Sequence, residues 1–282
     1  MSSVAVLGAG PIGAAVAHRL AERGPVPDVR LIDESEAVAS GKALDIRQSG
    51  PIARFDTVVT ASADALTAVG ADVIVLADSA KGGEWQGEPG LGLLRRLLRA
   101  GTDAPFVFAG PSQMWLMETA ARELGVRADR IVGTAASAVA AAVRALASLE
   151  AGHAGVDVTV AGRPPALVVA WSSATVSGIA LADRVPPHRL VAMTQALPRL
   201  WPPGPQAIAA ATAQAVEGLL AGSRRLCHAM TMLEGEFGVR GVAAMLPLEL
   251  GGRRVLGRVL PSLSPRERTD LVSGLTARSE GS

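Results

Sequence analysis

A single cysteine, Cys227, stands in 282 residues, so no internal disulfide can form, and a lone thiol in apolar surroundings is ordinarily a small buried hydrophobe. That usage suits a reducing cytoplasm. Net charge is also nearly absent: 27 basic residues against 26 acidic ones leave no whole-molecule field to recruit nucleic acid or an anionic membrane. Charged residues make up 19% against 49% hydrophobic, which excludes disorder and describes a compact soluble protein. No long apolar run is present, since Ile131–Leu149 is alanine-rich and interrupted by Arg144, so no membrane span is expected. Met1–Gly8 lacks a basic region followed by a removable apolar stretch, so no secretory leader is expected either. Repeats and low-complexity tails are missing, and no metal-ligand set is read. A small-molecule ligand is what these absences leave, in a chain long enough for two modest lobes.

Short β-branched runs alternate with longer helical stretches through the first half, the pattern of a parallel sheet covered by helices. Six strands are expected, at Ser3–Leu7, Val29–Asp33, Thr57–Thr60, Val73–Leu76, Pro105–Phe108 and Arg130–Val132. Further on, Val156–Val160, Leu167–Trp171 and Thr175–Ile179 read as neighbouring antiparallel strands, followed by helices at Pro187–Leu197 and Pro205–Ala221. Strands near Leu226–Leu233, Gly241–Leu246 and Arg253–Val259 precede a last helix. Ser264-Pro265-Arg266-Glu267 opens it, with serine as cap and proline in the first turn. The fold class is therefore α/β: a Rossmann doubly wound parallel sheet over residues 1–138, and a second α+β lobe over 139–282.

Gly8-Ala9-Gly10-Pro11-Ile12-Gly13 directly follows the first strand and opens a helix, the context that gives a GxGxxG spacing its meaning. The first glycine permits the tight turn, the second lets a pyrophosphate approach the backbone, and the third lets helix pack on strand. An anion is favoured there by free N–H groups and the helix dipole. Asp33 ends the second strand about 20 residues on, where a carboxylate accepts ribose hydroxyls and repels a 2′-phosphate, so NAD is expected over NADP. An FAD-binding domain, or glycines kept for packing alone, would show the same turn. The cofactor residues read in this way are Gly8, Gly10, Pro11, Ile12, Gly13 and Asp33.

With that turn and Asp33 in place, Gly41-Lys42-Ala43-Leu44-Asp45-Ile46 through Ser49-Gly50-Pro51-Ile52 resembles the malate dehydrogenase branch of the lactate/malate dehydrogenases. Leu233–Val239 and Leu246–Gly251 resemble the same family's C-terminal strands, and Asp72–Leu76, Ala109-Gly110-Pro111, Arg130–Gly133 and Val156–Gly162 carry the likeness between them. The resemblance implies the family's two-lobed fold, NAD as cofactor, oxidoreductase chemistry on a 2-hydroxy/2-oxo acid, and a homodimer or homotetramer.

It also implies a catalytic set that this chain lacks. The family needs a proton acceptor, a carboxylate to orient it, and arginines that grip the substrate carboxylate. Its Gly-His-Gly-Asp run corresponds to Gly162-Arg163-Pro164-Pro165, which puts an always-protonated guanidinium where the base would stand. Its Leu-Asp-x-x-Arg pattern corresponds to Ala138–Ala142, so Val139 and Ala142 replace the aspartate and arginine; the asparagine before proline is Gly110. In the Gly-rich loop Asp78–Gly90 the arginine positions correspond roughly to Lys81 and Gly87. Lys81 and Arg163 are thus the candidates for holding a carboxylate. They are expected near the place of the nicotinamide, against an apolar wall of Val139 and Ala142.

His153, His188 and His228 have ordinary readings in a turn, at a helix start and in a strand; any of them is a weak replacement base. Trp85 would cover a nicotinamide ring, anchor a partner, or pack the loop on its own lobe. A cofactor-binding or repurposed relative that no longer runs the ordinary malate or lactate reaction explains every loss at once. The alternatives are an active oxidoreductase with a rebuilt site, and a scaffold that has shed the cofactor too.

Overall fold

A computed structural model of the chain describes residues 2–23, 26–222 and 224–277. In the N-terminal half, strands β1 (Ser3–Leu7), β2 (Asp28–Ile32), β3 (Val58–Ser62), β4 (Val73–Leu76), β5 (Phe106–Phe108) and β6 (Ile131–Gly133) form a parallel sheet in the order β3-β2-β1-β4-β5-β6. Helices α1 (Pro11–Arg23), α2 (Glu36–Ala53), α3 (Gly87–Arg99) and α4 (Met114–Leu124) cover it, and α5 (Ala135–Ala151) leads out of β6.

The near-continuous apolar strands follow from burial on both faces. Val4, Val6, Val73, Val75 and Val107 share a core with Val16 and Leu20 of α1. Their alternate neighbours Ala5, Leu7, Ile74, Leu76, Phe106 and Phe108 share the other core with Leu91, Leu94 and Leu97 of α3 and Leu116 of α4. Period-two alternation therefore places helices on both sides, and the strand order reverses between β1 and β4. That reversal puts the loops following β1 and β4 side by side, which decides what happens at the glycine turn.

In the second half come β7 (Val156–Asp157), β8 (Val160–Arg163), β9 (Ala166–Val169), β10 (Thr175–Val176), β11 (Ile179–Ala180), helices α6 (Pro187–Ala196) and α7 (Pro205–Leu220), β12 (Arg225–Glu234), β13 (Arg240–Gly251), β14 (Arg254–Arg258) and α8 (Pro265–Thr276). The long hairpin β12-β13 joins β6 through the pair Met230 and Gly133, and β8, β9 and β14 continue from β13, so the second lobe's main strands extend the first sheet.

Three sequence expectations change here. The run Val156–Val160 is broken, because β7 pairs with β10 in a small separate sheet while β8 pairs with β9 and β13. Thr175–Ile179 is a hairpin, turned by Ser177 and Gly178 at φ of 50° and 83°, a left-handed pair that no strand accommodates. Leu167–Trp171 ends at Val169, and Trp171 opens a short 3-10 turn. The capping box at Ser264 and Glu267 is formed as the sequence predicts.

Candidate cofactor cleft and the residues around it

Gly8 adopts φ +114°, and its N–H reaches Ile32 O at 2.7 Å, so the chain leaves β1 and turns at once into α1. A Cβ on Gly13 would lie 1.9 Å from Gly8 O: the turn closes only because the third glycine has no side chain. Lys42 of α2 reaches back to donate to Ala9 O at 2.6 Å, tying α2 to the same turn.

The anion-attracting start of α1 has an anion on it, supplied by the protein. The Asp78 carboxylate, 8% exposed, accepts from Gly13 N at 2.9 Å and Ile12 N at 3.2 Å, while Asp78 O accepts from Gly10 N at 2.8 Å. A Cβ on Gly10 would lie 2.4 Å from Asp78 Cγ, so the close approach left open by the second glycine is filled by this side chain. Chemically the cradle fits a phosphate group, because a carboxylate already uses its donors. Spatially, a diphosphate and the Asp78 carboxylate cannot share it.

Asp33 is 3% exposed. Its Oδ2 accepts from Ala9 N and Ala80 N, each at 2.8 Å, and its Oδ1 accepts from Ser35 N at 2.8 Å. The residue thus pins the glycine turn, the start of α2 and the loop after β4 together. Beside it opens a cleft of about 530 Å³, whose lining includes Asp33, Glu34, Asp64, Trp85, Arg96 and Arg99. Trp85, half-buried, lines this cleft and packs against the core beneath it, with its indole N–H buried and unpartnered. Gln113, fully buried, fastens the neighbouring segments: its amide donates to Trp85 O at 3.0 Å and its carbonyl accepts from Gly110 N at 2.9 Å.

At Gly110 a second internal acid intervenes. Glu84 accepts from Ser112 N at 2.7 Å, and a Cβ on Gly110 would lie 2.1 Å from its Oε2. Burial raises the Glu84 pKa above the usual carboxylate range, with the nearby Asp78 charge adding to the rise and the Ser112 hydrogen bond opposing it.

The residues read as substrate candidates are not brought together in an open pocket. Lys81 is exposed on the loop. Arg163 is largely buried, with its guanidinium committed to Glu118 of α4, which also accepts from Ala243 N at 2.9 Å. Val139, 1% exposed, sits in the core formed with Val160 and Met245, and Ala142 is half-buried. Among the histidines, His228 lies beside Cys227 near a smaller cavity of about 190 Å³ between α5, α7 and β12, with Nε2 unpartnered. Burial and Arg144 lower its pKa, while Asp157 opposes them; burial raises Cys227 to about 11. No cluster of three or more His, Cys, Asp or Glu able to hold a metal occurs among the described residues, nor a helix long and apolar enough to cross a membrane.

Sequence reasoning missed Asp78, Glu84, Lys42 and Glu118. The first had a signal, since an acid two residues beyond β4 must fall against the turn beyond β1 once those strands are neighbours.

Residues 2–88 match the family model described as the lactate/malate dehydrogenase NAD-binding domain. Malate dehydrogenase from Thermomicrobium roseum is 29% identical over 95% of this chain and 93% of its own, and that from Chlorobium phaeobacteroides is 26% identical over 94% and 92%. Among solved structures, malate dehydrogenase from Salinibacter ruber superimposes with a TM-score of 0.86 over 96% of this chain and 93% of that one, at 22% identity. A minor L-lactate dehydrogenase from Enterococcus mundtii gives 0.85 over 97% and 95%, at 20% identity. At those identities the structural matches are likenesses of fold.

Proposed function

We propose that the chain, whose residues 2–88 match the NAD-binding domain of the lactate/malate dehydrogenases and which is similar to malate dehydrogenases over nearly its whole length, is a relative of that family that binds NAD(H) without carrying out the ordinary malate or lactate reaction. NAD, when bound, supplies or accepts a hydride; the proton that accompanies the hydride needs a base on the protein. The observation that carries the proposal is the pairing of Arg163 with Glu118. A guanidinium at the position of the family's base takes up no proton, and one neutralised by the partly buried Glu118 carboxylate grips no substrate carboxylate. Val139 and Ala142 offer neither an orienting acid nor a second arginine. Gly8, Gly10, Pro11, Ile12, Gly13 and Asp33 are retained as the cofactor residues, within a cofactor lobe of residues 1–138 and a second lobe of 139–282.

A second reading, an active oxidoreductase on a 2-oxo acid with a rebuilt site around Lys81, draws on the relatives, which carry the name malate dehydrogenase and match over nearly the whole chain. Assembly as a homodimer or homotetramer in the cytoplasm is our expectation on either reading. The apolar surface that supports it is Leu44 and Ile52 on α2, 47% and 86% exposed.

Titrating NADH into the purified protein by calorimetry, and then following NADH absorbance with oxaloacetate or pyruvate present, separates binding from turnover. Binding without oxidation is expected. Turnover of either acid at an ordinary dehydrogenase rate would defeat the proposal and favour the rebuilt site.

A further inference from the structure

The loop from Asp78 to Glu84 is fastened into the cofactor cleft at both ends. Asp78 holds the N–H groups of Ile12 and Gly13 at one end, and Glu84 holds Ser112 N over the Gly110-Pro111 turn at the other. In between, Ala80 N donates to Asp33, Ser79 N to Gly83 O, and residues 78 and 84 form a short antiparallel bridge. The middle of the loop is different. Lys81, Gly82 and Gly83 are exposed, and the two glycines sit at φ +108° and +85°, so the turn depends on residues that rearrange at little steric cost.

Two anions cannot be held by one pair of N–H groups, and a second negative charge brought beside Asp78 and Glu84 is repelled as well as excluded. Resting on the NAD-binding reading above, we propose that the Asp78 carboxylate is a built-in competitor for the dinucleotide's diphosphate, which reaches the start of α1 only when the 78–84 loop swings out of the cleft. At the start of α1 the exchange is like for like, while the ties of Gly10 N to Asp78 O, Ala80 N to Asp33 and Ser112 N to Glu84 are what hold the loop closed. Ile12 and Gly13 lose a carboxylate and gain a phosphate, so opening does not strand their buried donors once the cofactor is in place. Apparent affinity is reduced by the fraction of molecules in the open form; with an open population of about 1–10%, the reduction is roughly ten- to hundred-fold.

The test compares wild type, Asp78→Gly and Asp78→Asn as full chains, with NADH and inorganic pyrophosphate as separate ligands in calorimetry. Amide hydrogen exchange over residues 9–14 of the free proteins is followed alongside. Asp78→Gly should bind both ligands roughly ten- to hundred-fold more tightly than wild type, and its Ile12 and Gly13 amides should exchange faster when no ligand is present. Asp78→Asn keeps the side-chain shape and one acceptor oxygen without the charge, so a smaller gain in the same direction is expected. It also keeps the test decisive if the glycine variant fails to fold. A gain for pyrophosphate with no NADH binding to any of the three proteins would uphold the competition and remove the NAD reading instead. Wild type binding NADH with no gain in either variant would overturn the competition and leave the NAD reading standing.

Discussion

The glycine-turn cleft and the Gly162–Pro165 arm are both neutralised from within, by different means. In the cleft the polar groups a dinucleotide would use are intact, and carboxylates from a nearby loop satisfy them. At the arm the charge of Arg163 is sequestered by Glu118, and on the reading proposed above Val139 and Ala142 of α5 stand where the family's orienting acid and second arginine would be. A loop can be withdrawn, but missing atoms cannot be restored by motion. If both proposals hold, one region is regulated while the other has lost a capacity, and the comparison teaches that backbone geometry and catalytic side chains are separable inheritances.

The sharpest way to break this comparison is at Gly13 against Gly10. An alanine methyl at Gly13 runs into Gly8 O, a backbone atom with nowhere to go, so Gly13→Ala should cost about 4 kcal/mol, the scale of severe overpacking. At Gly10 the nearest atoms the methyl meets are those of the Asp78 carboxylate, a side-chain end that can rotate away, and a loss of about 1 kcal/mol is expected. Urea unfolding of the two variants reads the difference. Equal losses would mean that Asp78 is as immobile as the backbone and the cleft is closed for good.

The arm is probed by its ion pair. Glu118→Ala leaves the Arg163 charge largely buried without a partner and Ala243 N without an acceptor, and should lower stability by about 3 kcal/mol. Adding Arg163→Met should recover roughly half of that, because an unpaired buried charge costs more than a well-filled apolar site. NADH affinity should stay at the wild-type value in the double variant. A change in affinity would show that the two regions are coupled and that the contrast between them is overdrawn.

What was legible in the sequence was what local pattern determines. β1 and β4 fall where their apolar runs fall, and Ser264-Pro265-Arg266-Glu267 caps α8, because strand periodicity and capping act over a few residues. The glycine turn was legible for the same reason. The cleft's occupant was not: Asp78 meets Gly13 across 65 positions, and that contact exists only because the strand order sets β4 beside β1. Glu118 meets Arg163 across 45 positions, from a helix whose acid reads as one more surface charge. Val156–Val160 misled because five β-branched or polar residues in a row say nothing about where a strand changes sheets.

The smallest effect tests whether the loop's second anchor carries an energetic burden in the closed state. Burial, aided by Asp78, raises the Glu84 pKa in the folded protein. The folded chain therefore holds that proton more tightly than the unfolded chain does, and this contribution to stability is present at low pH and lost as pH rises through the raised pKa. Glutamine keeps the acceptor for Ser112 N and removes the titration. Glu84→Gln should consequently gain stability relative to wild type between about pH 4 and about pH 7, by less than either substitution above because the carboxylate is partly solvated. Urea midpoints of the two proteins at both pH values measure it. A gap that does not widen toward neutral pH would mean that Glu84 carries no ionisation penalty in the closed loop, leaving Asp78 as the only charge whose removal opens the cleft.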